Sequence, residues 1–178
     1  MMHALVYRDA TLIDVPAIVR LVESGFRGVA SRAGWTTEAD LLDGQRTDEH
    51  EVRGLIEGSH SHMRLAHQSD NLVACVRIER TGDVGYLGMI TVAPLLQSKG
   101  IGRSILAEAE RVIYDSLGLR RARMTVIGQR TTLIDWYIRR GYRLTGERRD
   151  FPYDDVRCGL PRRMDLYFEV LEKELLEK

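Results

Sequence analysis

The stretch of sequence that says most about the fold is Gln97-Ser98-Lys99-Gly100-Ile101-Gly102. It lies between a predicted strand that ends at Val92 and a predicted helix that begins near Gly100. Glycines allow the backbone to turn tightly there, so that several N–H groups point at one spot. The amino end of the helix adds about half a positive charge at that spot. The stretch therefore predicts a cradle for an anion such as a pyrophosphate.

Two other phosphate-binding loops do not fit this stretch. A dinucleotide-binding fingerprint needs a third glycine, where this chain has Ile105, and an acidic residue about twenty positions further on. The chain reads Leu119-Arg120-Arg121 in that region. A Walker A loop needs Gly-Lys-Ser/Thr after an earlier glycine and a four-residue gap, and the sequence contains no such run. Neither of these nucleotide-binding loops is predicted.

Hydrophobic periodicity along the chain predicts one α/β domain over residues 1–178 with a mixed sheet. A meander of strands is followed by alternating strands and helices. Strands are predicted at residues 4–7, 63–66, 72–78, 84–92, 122–127, 142–145 and 166–170. Helices are predicted at 14–25, from near 36 or 37, at 49–57, 100–118 and 133–140. A charged tail, helical or frayed, is expected after residue 170.

The composition is that of an ordinary globular protein, with 44% hydrophobic and 29% charged residues in a chain of 178. The 26 basic and 26 acidic side chains give zero net charge, which argues against a generic nucleic-acid or membrane-surface binder. Two cysteines imply no disulfide framework. No apolar run approaches the length of a signal peptide or a membrane span. We expect a soluble cytoplasmic protein that binds neither nucleic acid nor membrane.

The glycine-rich stretch belongs to a longer motif of strand, [Gln/Arg]-x-x-Gly-x-[Gly/Ala] and helix, which covers residues 86–102. A second motif follows it: a strand at 124–127, a helix with Trp136 and Tyr137, and then Gly141-Tyr142. In both motifs the chain resembles the GNAT (general N-acetyltransferase) superfamily. The resemblance implies a mixed, mostly antiparallel central sheet flanked by helices. It also implies an acetyl-CoA core at about residues 84–145.

The resemblance further implies where acetyl-CoA binds. In this family two central strands splay apart after a bulge, and the pantetheine arm lies between them. Backbone groups of one strand bind the arm, backbone N–H groups of the glycine-rich turn bind the pyrophosphate, and the first helical turn adds donors. The corresponding residues are Ile90, Thr91, Val92, Gln97, Ser98, Lys99, Gly100, Ile101, Gly102, Arg103 and Ser104.

For catalysis, the resemblance points to Tyr137 as the general acid that protonates the departing thiolate. A phenol suits this role because it is neutral at pH 7 and donates a hydrogen bond. Many family members use a glutamate on the strand before the loop as the general base, but residues 84–92 contain no Asp, Glu or His. Glu79, acting through a water molecule, is the candidate base. Arg130 stands where the family usually has asparagine, and it either reaches a CoA phosphate or is exposed.

Two polar and aromatic clusters are candidates for binding the acceptor. The residues are Arg32 and Trp35 in the first cluster, and Phe151, Tyr153, Asp154 and Asp155 in the second. Adjacent acids beside aromatic rings can attract a cationic amine. An ordinary surface loop can have the same composition, so both interpretations stay open.

Three histidines and a cysteine, His60, His62, His67 and Cys75, invite comparison with a metal site. On a strand, His60 and His62 share one face while His67 points to the other. A zinc site needs ligands that converge on one point. Since the implied chemistry also needs no metal, we expect no metal site.

Together these features predict an acetyl-CoA-dependent N-acetyltransferase that moves an acetyl group directly to a primary amine of a small molecule or peptide. One alternative is a non-catalytic module that senses or regulates by binding CoA. Another is a nucleic-acid-binding protein that uses arginine clusters at 120–123 and 139–143, for which a steep salt dependence is the test. A homodimer is left open.

Overall fold

The computed structural model describes residues 4–176 of the chain. Within them, nine strands and five α-helices follow one another. The strands are β1 (Leu5–Asp9), β2 (Leu42–Asp43), β3 (Ser61–Gln68), β4 (Asn71–Thr81), β5 (Val84–Val92), β6 (Arg121–Ile127), β7 (Arg143–Asp150), β8 (Leu160–Pro161) and β9 (Tyr167–Glu174). The helices are α1 (Val15–Phe26), α2 (Gly28–Ser31), α3 (Glu49–Glu57), α4 (Ile101–Arg111) and α5 (Thr131–Ile138).

Seven of the strands form one sheet in the order β1-β3-β4-β5-β6-β9-β7. Only the central pair, β5 and β6, runs parallel, and the other neighbours are antiparallel. The predicted fold class, a mixed and mostly antiparallel sheet flanked by helices, is confirmed. A separate two-stranded sheet of β2 and β8 was not predicted, because each strand is only two residues long.

Helices cover both faces of the sheet. Helix α1 turns its apolar stripe inward, and Val15, Ile18 and Val22 pack with α3 against β3, β4 and β5. Helices α4 and α5 cover the opposite face, where the larger core cluster lies. The i, i+3, i+4, i+7 spacing in α1 therefore corresponds to a buried stripe, as the sequence predicts.

The two central strands separate after a short paired region. Strands β5 and β6 pair only at Gly85 with Ala122 and at Tyr86 with Arg123. On the other side of β5, Gly88 and Thr91 pair with Arg77 and Cys75, so β5 carries one extra residue and bulges. Met89 in this bulge has a positive φ of 50°. Beyond the bulge, the edge of β5 that faces β6 is unpaired and opens into the interior of the protein.

Two sequence predictions are wrong. No helix starts at Thr36 or Thr37; the Thr37 hydroxyl instead bonds to Ser31 Oγ (2.5 Å) and accepts from the Ala39 N–H (3.0 Å). Such side chain–backbone bonds compete with helix formation. The charged tail after residue 170 is the second half of β9, which extends to Glu174 because β6 and β7 pair with it from both sides.

None of the helices in residues 4–176 combines the length and apolar character that crossing a membrane requires.

Candidate active site

The separation of β5 and β6 opens a cavity of about 1080 Å³ in the middle of the sheet. Both strands line it, together with the end of α1, the start of α4, helix α5 and the loops that follow α2 and β7. Eight of the residues implied for acetyl-CoA belong to its lining: Ile90, Thr91, Val92, Gln97, Ser98, Gly100, Gly102 and Arg103. Because they follow one another from the open edge of β5 into α4, they form a continuous wall.

The glycine-rich turn at the end of this wall is built as a cradle. Ser98 and Gly100 both have left-handed backbone conformations, with φ of 64° and 85°. Helix α4 starts at the next residue, and the first N–H groups of a helix have no acceptor within it. A Cβ atom at Gly100 would meet no other atom within 4 Å, so the glycine is needed for its backbone conformation alone. The turn can therefore present several N–H groups to an anion.

Three of the residues implied for the cofactor lie outside the lining. Ile101 is only 6% exposed and packs in the core, and the Ser104 side chain bonds to Tyr7. Lys99 sits between the two left-handed residues of the turn but does not line the cavity.

The Gln97 side chain connects the cradle to another part of the site. Its Oε1 accepts from the Trp35 N–H at 2.9 Å, and its Nε2 donates to the Val92 carbonyl at 3.3 Å. The Trp35 ring in turn lies 6.3 Å from the Trp136 ring, measured between centroids. Gln97 therefore holds the loop after α2 against the end of β5, and the Trp35 ring connects this loop to α5.

Three arginines of the lining, Arg103, Arg139 and Arg140, lie near the cradle, and the charges of the first two act on Arg140. The guanidinium carbon of Arg140 lies 3.4 Å from the centroid of the Trp136 ring, and its Nη1 donates to the Trp136 carbonyl at 2.8 Å. Burial, together with the positive charges of Arg139 and Arg103, lowers the pKa of Arg140. Bringing in an anion would relieve this repulsion, so the cluster is suited to phosphate.

Tyr137 lies on α5, and it is the buried phenol of the cavity lining at 5% exposure. Its ring packs edge-on between Trp136 and Tyr142 at centroid distances of 5.1 and 5.8 Å. The hydroxyl makes no hydrogen bond to any residue among 4–176. Burial raises the pKa of Tyr137 to about 12, against the opposing charges of Arg130 and Arg140. Tyr137 therefore keeps its proton at neutral pH.

Arg130 is buried, so the alternative of an exposed side chain is wrong. Its side chain is 9% exposed; Nη1 donates to Glu38 Oε1 at 2.9 Å and Nη2 to Thr36 Oγ1 at 2.8 Å. Arg27 binds the second oxygen of Glu38, and these three side chains form a buried triad. Burial opposes the charged form of Glu38, but Arg130, Arg27 and Arg46 hold the pKa of its carboxyl below the ordinary value.

Comparison with known protein families decides the family. A sequence model described as an acetyltransferase (GNAT) domain matches residues 37–152, more than half of the chain. The chain belongs to the GNAT acetyltransferase family. No curated protein sequence matches the chain.

Solved structures of GNAT proteins share this fold over almost their whole length. The ribosomal-protein-S18-alanine N-acetyltransferase from Escherichia coli is 14% identical with a TM-score of 0.72, over 98% of this chain and 96% of that one. A GNAT acetyltransferase from Streptococcus pneumoniae is 17% identical with a TM-score of 0.66, over 97% and 100%. A spermidine N-acetyltransferase variant from Vibrio cholerae is 13% identical with a TM-score of 0.69, over 96% and 93%.

Half of the six residues predicted to bind the acceptor lie around the cavity between β5 and β6. Trp35, Phe151 and Asp155 line it. Arg32 instead forms an exposed ion pair with Asp40 at 2.7 Å. The remaining two, Tyr153 and Asp154, do not line the cavity, since Tyr153 accepts from the Leu166 N–H at 2.7 Å and Asp154 is exposed.

The structure does not bring Glu79 into the site. Its carboxylate binds Arg77 on the same strand, and the residue is absent from the cavity lining. The acidic side chains that do line the cavity are Glu38, Asp48, Glu51 and Asp155, and His50 is also there. Of these, the sequence singled out only Asp155. The others lie in loops or at the start of α3, where periodicity gives no signal. Within residues 4–176, no group of His, Cys, Asp or Glu could hold a metal ion.

Proposed function

We propose that this GNAT protein is an acetyl-CoA-dependent N-acetyltransferase that moves an acetyl group directly to a primary amine. The observation that supports this proposal most is the continuous wall from the open edge of β5 to the glycine cradle, with Tyr137 in the same cavity. An extended pantetheine arm can bind to an open strand edge as an added strand does. A diphosphate can bind at the amino end of α4.

The residues of the cavity fit acetyl-CoA in their chemistry. We assign the backbone of Ile90, Thr91 and Val92 to the arm, and the N–H groups of Gln97 to Gly102 to the pyrophosphate. Arg103, Arg139 and Arg140 add positive charge beside the cradle. When bound, acetyl-CoA supplies an acetyl group that is already activated as a thioester.

Tyr137 is proposed to donate its hydroxyl proton toward the sulfur that leaves. Its pKa of about 12 lies some 3.5 units above that of an ordinary thiol, so complete transfer is uphill by about 5 kcal/mol. The hydroxyl therefore acts first as a hydrogen-bond donor whose bond strengthens as charge collects on sulfur. The cost of complete transfer already includes the positive charges of Arg130 and Arg140, which favour the tyrosinate and without which the pKa would be higher.

The acceptor amine must be neutral before it attacks. For an amine with a lysine-like pKa, holding the neutral form at pH 7 costs about 4–5 kcal/mol, whereas an α-amine with a pKa near 8 costs about 1.4 kcal/mol. Since Glu79 is bound to Arg77 and lies away from the cavity, we do not assign it as the base. An α-amine or another weakly basic amine needs the least help from a base, so we favour it as acceptor.

The proposal is tested by measuring thiol release from acetyl-CoA with amino acids, peptides, polyamines and aminoglycosides as acceptors. Both small-molecule and peptide amines belong in the panel, because two structural relatives are a spermidine and a ribosomal-protein-alanine N-acetyltransferase. We expect acceptor-dependent thiol release and an acetylated amine by mass spectrometry. Thermal stabilisation by CoA without turnover on any acceptor would instead identify a CoA sensor. With only two cysteines, neither in a disulfide, we propose that the reaction takes place in the reducing cytoplasm.

A further inference from the structure

The triad of Arg27, Glu38 and Arg130 forms part of the cavity wall. Its side chains are 5%, 9% and 9% exposed. One carboxylate is shared by two guanidinium groups: Arg27 binds one oxygen of Glu38, and Arg130 binds the other. The lowered pKa of Glu38 means that the carboxylate is ionised at neutral pH. The three side chains therefore sum to a net charge of +1 in a buried place, and Asp43, which is bound to Arg162, also interacts with Arg27.

Each arginine of the triad also has an unused donor. The Nε atoms of Arg27 and Arg130 are buried and have no hydrogen-bond partner among the described residues. Their Nη groups are occupied by Glu38, Thr36 and the Cys158 carbonyl. A buried N–H without a partner costs stability, and a charged one costs more. These Nε atoms are closed off from the cavity, so a ligand anion at this wall would bind the second N–H groups of the Nη atoms and balance the net charge.

A purely structural role explains the triad less well. A cluster that only attached the loop after α2 to α5 would be expected to have no net charge. The ion pair of Lys173 with Glu110, at 2.8 Å between α4 and β9, is of that kind. Here the charged side chains line the cavity between β5 and β6. An acceptor made only of cationic amines would be repelled by the triad, whereas a carboxylate would be attracted.

From this arrangement we infer that the acceptor carries a carboxylate as well as the reacting amine, and that Arg27 and Arg130 bind this carboxylate. The substrate class is thus the free amino acids, and the inference rests on the proposed transferase function. Arg130 lies close enough to Tyr137 for its charge to act on the phenol, so a carboxylate held there keeps an α-amine on the Tyr137 side of the cavity. The exposed acids of the lining, Asp48 and Glu51, are available to the ammonium group as it enters.

The test compares acceptors with and without the carboxylate, and kcat/KM is expressed per neutral amine from pH profiles, since the α-amine of an amide is less basic than that of the free amino acid. Alanine, methionine, phenylalanine and glutamate are each assayed beside their α-amides and the corresponding amines without the carboxyl group. We expect kcat/KM to be roughly 10 to 100 times higher for the acid, since a hydrogen bond to a charged group has about that effect. Arg130→Lys keeps a positive charge beside Glu38 but has one nitrogen in place of two Nη groups, so it cannot hold Glu38 and a ligand carboxylate through separate nitrogens. It should raise KM for the amino acid while KM for acetyl-CoA stays unchanged.

A matched control is Arg8→Lys, because Arg8 binds Asp14 through two nitrogens (both 2.7 Å) on the exposed surface and is not part of the cavity lining. It should leave both KM values as they are. Calorimetric titration of the same amino acids into the CoA complex gives a readout that does not depend on turnover. We expect binding of the acid but not of its amide, and a weaker binding in Arg130→Lys.

The outcomes separate the two proposals. Equal turnover of acids and amides overturns the carboxylate site and leaves the transferase intact. Binding of an amino acid that requires Arg130, without acetylation of any amine, supports the carboxylate site and overturns the proposed reaction. If amino acids neither bind nor react, the carboxylate site is overturned, and the transferase proposal is then decided by the peptides, polyamines and aminoglycosides of the acceptor panel.

Discussion

Two neighbouring tyrosines allow the catalytic role of Tyr137 to be separated from its packing role. Tyr137 and Tyr142 are both buried, and their rings are 5.8 Å apart. Tyr137 lines the cavity and its hydroxyl has no partner among the described residues, whereas Tyr142 lies outside the lining and donates to Glu110 at 3.0 Å. Replacing each by phenylalanine removes one oxygen atom, but the two losses have different consequences.

For Tyr137→Phe we expect a loss of activity without a loss of stability. Removal of a general acid lowers kcat by about 100-fold or more, which corresponds to about 3 kcal/mol. The free energy of unfolding should change by less than about 1 kcal/mol, because no hydrogen bond is broken. The affinity for acetyl-CoA, measured by calorimetry, should remain the same.

For Tyr142→Phe we expect the opposite result. The bond to Glu110 is worth about 1–2 kcal/mol, and Glu110 keeps a partner because Lys173 also binds it at 2.8 Å. At about 2–4 °C per kcal/mol for a chain of this size, the melting temperature should fall by about 2–8 °C. The value of kcat should not change. If both variants lose activity to the same degree, or if Tyr137→Phe keeps kcat within threefold of the wild type, Tyr137 is not the proton donor.

Two further predictions concern the cradle and the pH dependence of stability. Gly100→Ala places a side chain on a residue with a left-handed backbone (φ 85°), which costs about 1–2 kcal/mol of stability. It should weaken acetyl-CoA binding in a calorimetric titration. The control Gly118→Ala, at φ 65° and outside the cavity lining, should cost similar stability and leave acetyl-CoA binding unchanged. The stability that comes from keeping Tyr137 protonated is complete below pH 10 and is lost as the pH rises toward about 12. The free energy of unfolding in urea should therefore fall between pH 10 and 11 less steeply in Tyr137→Phe than in the wild type, by up to about 1.4 kcal/mol per pH unit. An identical fall in both proteins would contradict the raised pKa.

Regular elements could be predicted from the sequence because their signals are local. Strand β5 and helix α3 begin and end at the predicted residues; α3 has a capping signal, since Asp48 accepts from the Glu51 N–H at 2.7 Å. The last strand was predicted too short because the charged residues at its end resemble a solvated tail. In the sheet they are paired, as Glu172 is with Arg121 and Arg123 across β6. That pairing depends on strand order, which the local sequence does not reveal.

Residues of the candidate site could likewise be predicted only where the signal is local in sequence. The cradle and Tyr137 belong to contiguous motifs, so the sequence located them. The triad joins a residue at the end of α1, one in a loop and one at the start of α5, and its longest bond spans 92 positions in the chain, from Glu38 to Arg130. No pattern in a single sequence connects residues so far apart, and Arg130 was therefore assigned two other roles. The buried acid Glu38 carried no signal for the same reason.

The contact that Gln97 makes with Trp35 has a consequence for the order of events in a catalytic cycle. One amide group ties the turn that we assign to the pyrophosphate to the loop that contributes Trp35, Thr36 and Glu38 to the opposite wall. Any shift of the turn on loading is therefore transmitted to the acceptor wall through a single side chain. Such a linkage favours an ordered sequential mechanism in which acetyl-CoA binds first and CoA leaves last. The acceptor amine then enters a cavity whose shape the bound acetyl-CoA has already fixed.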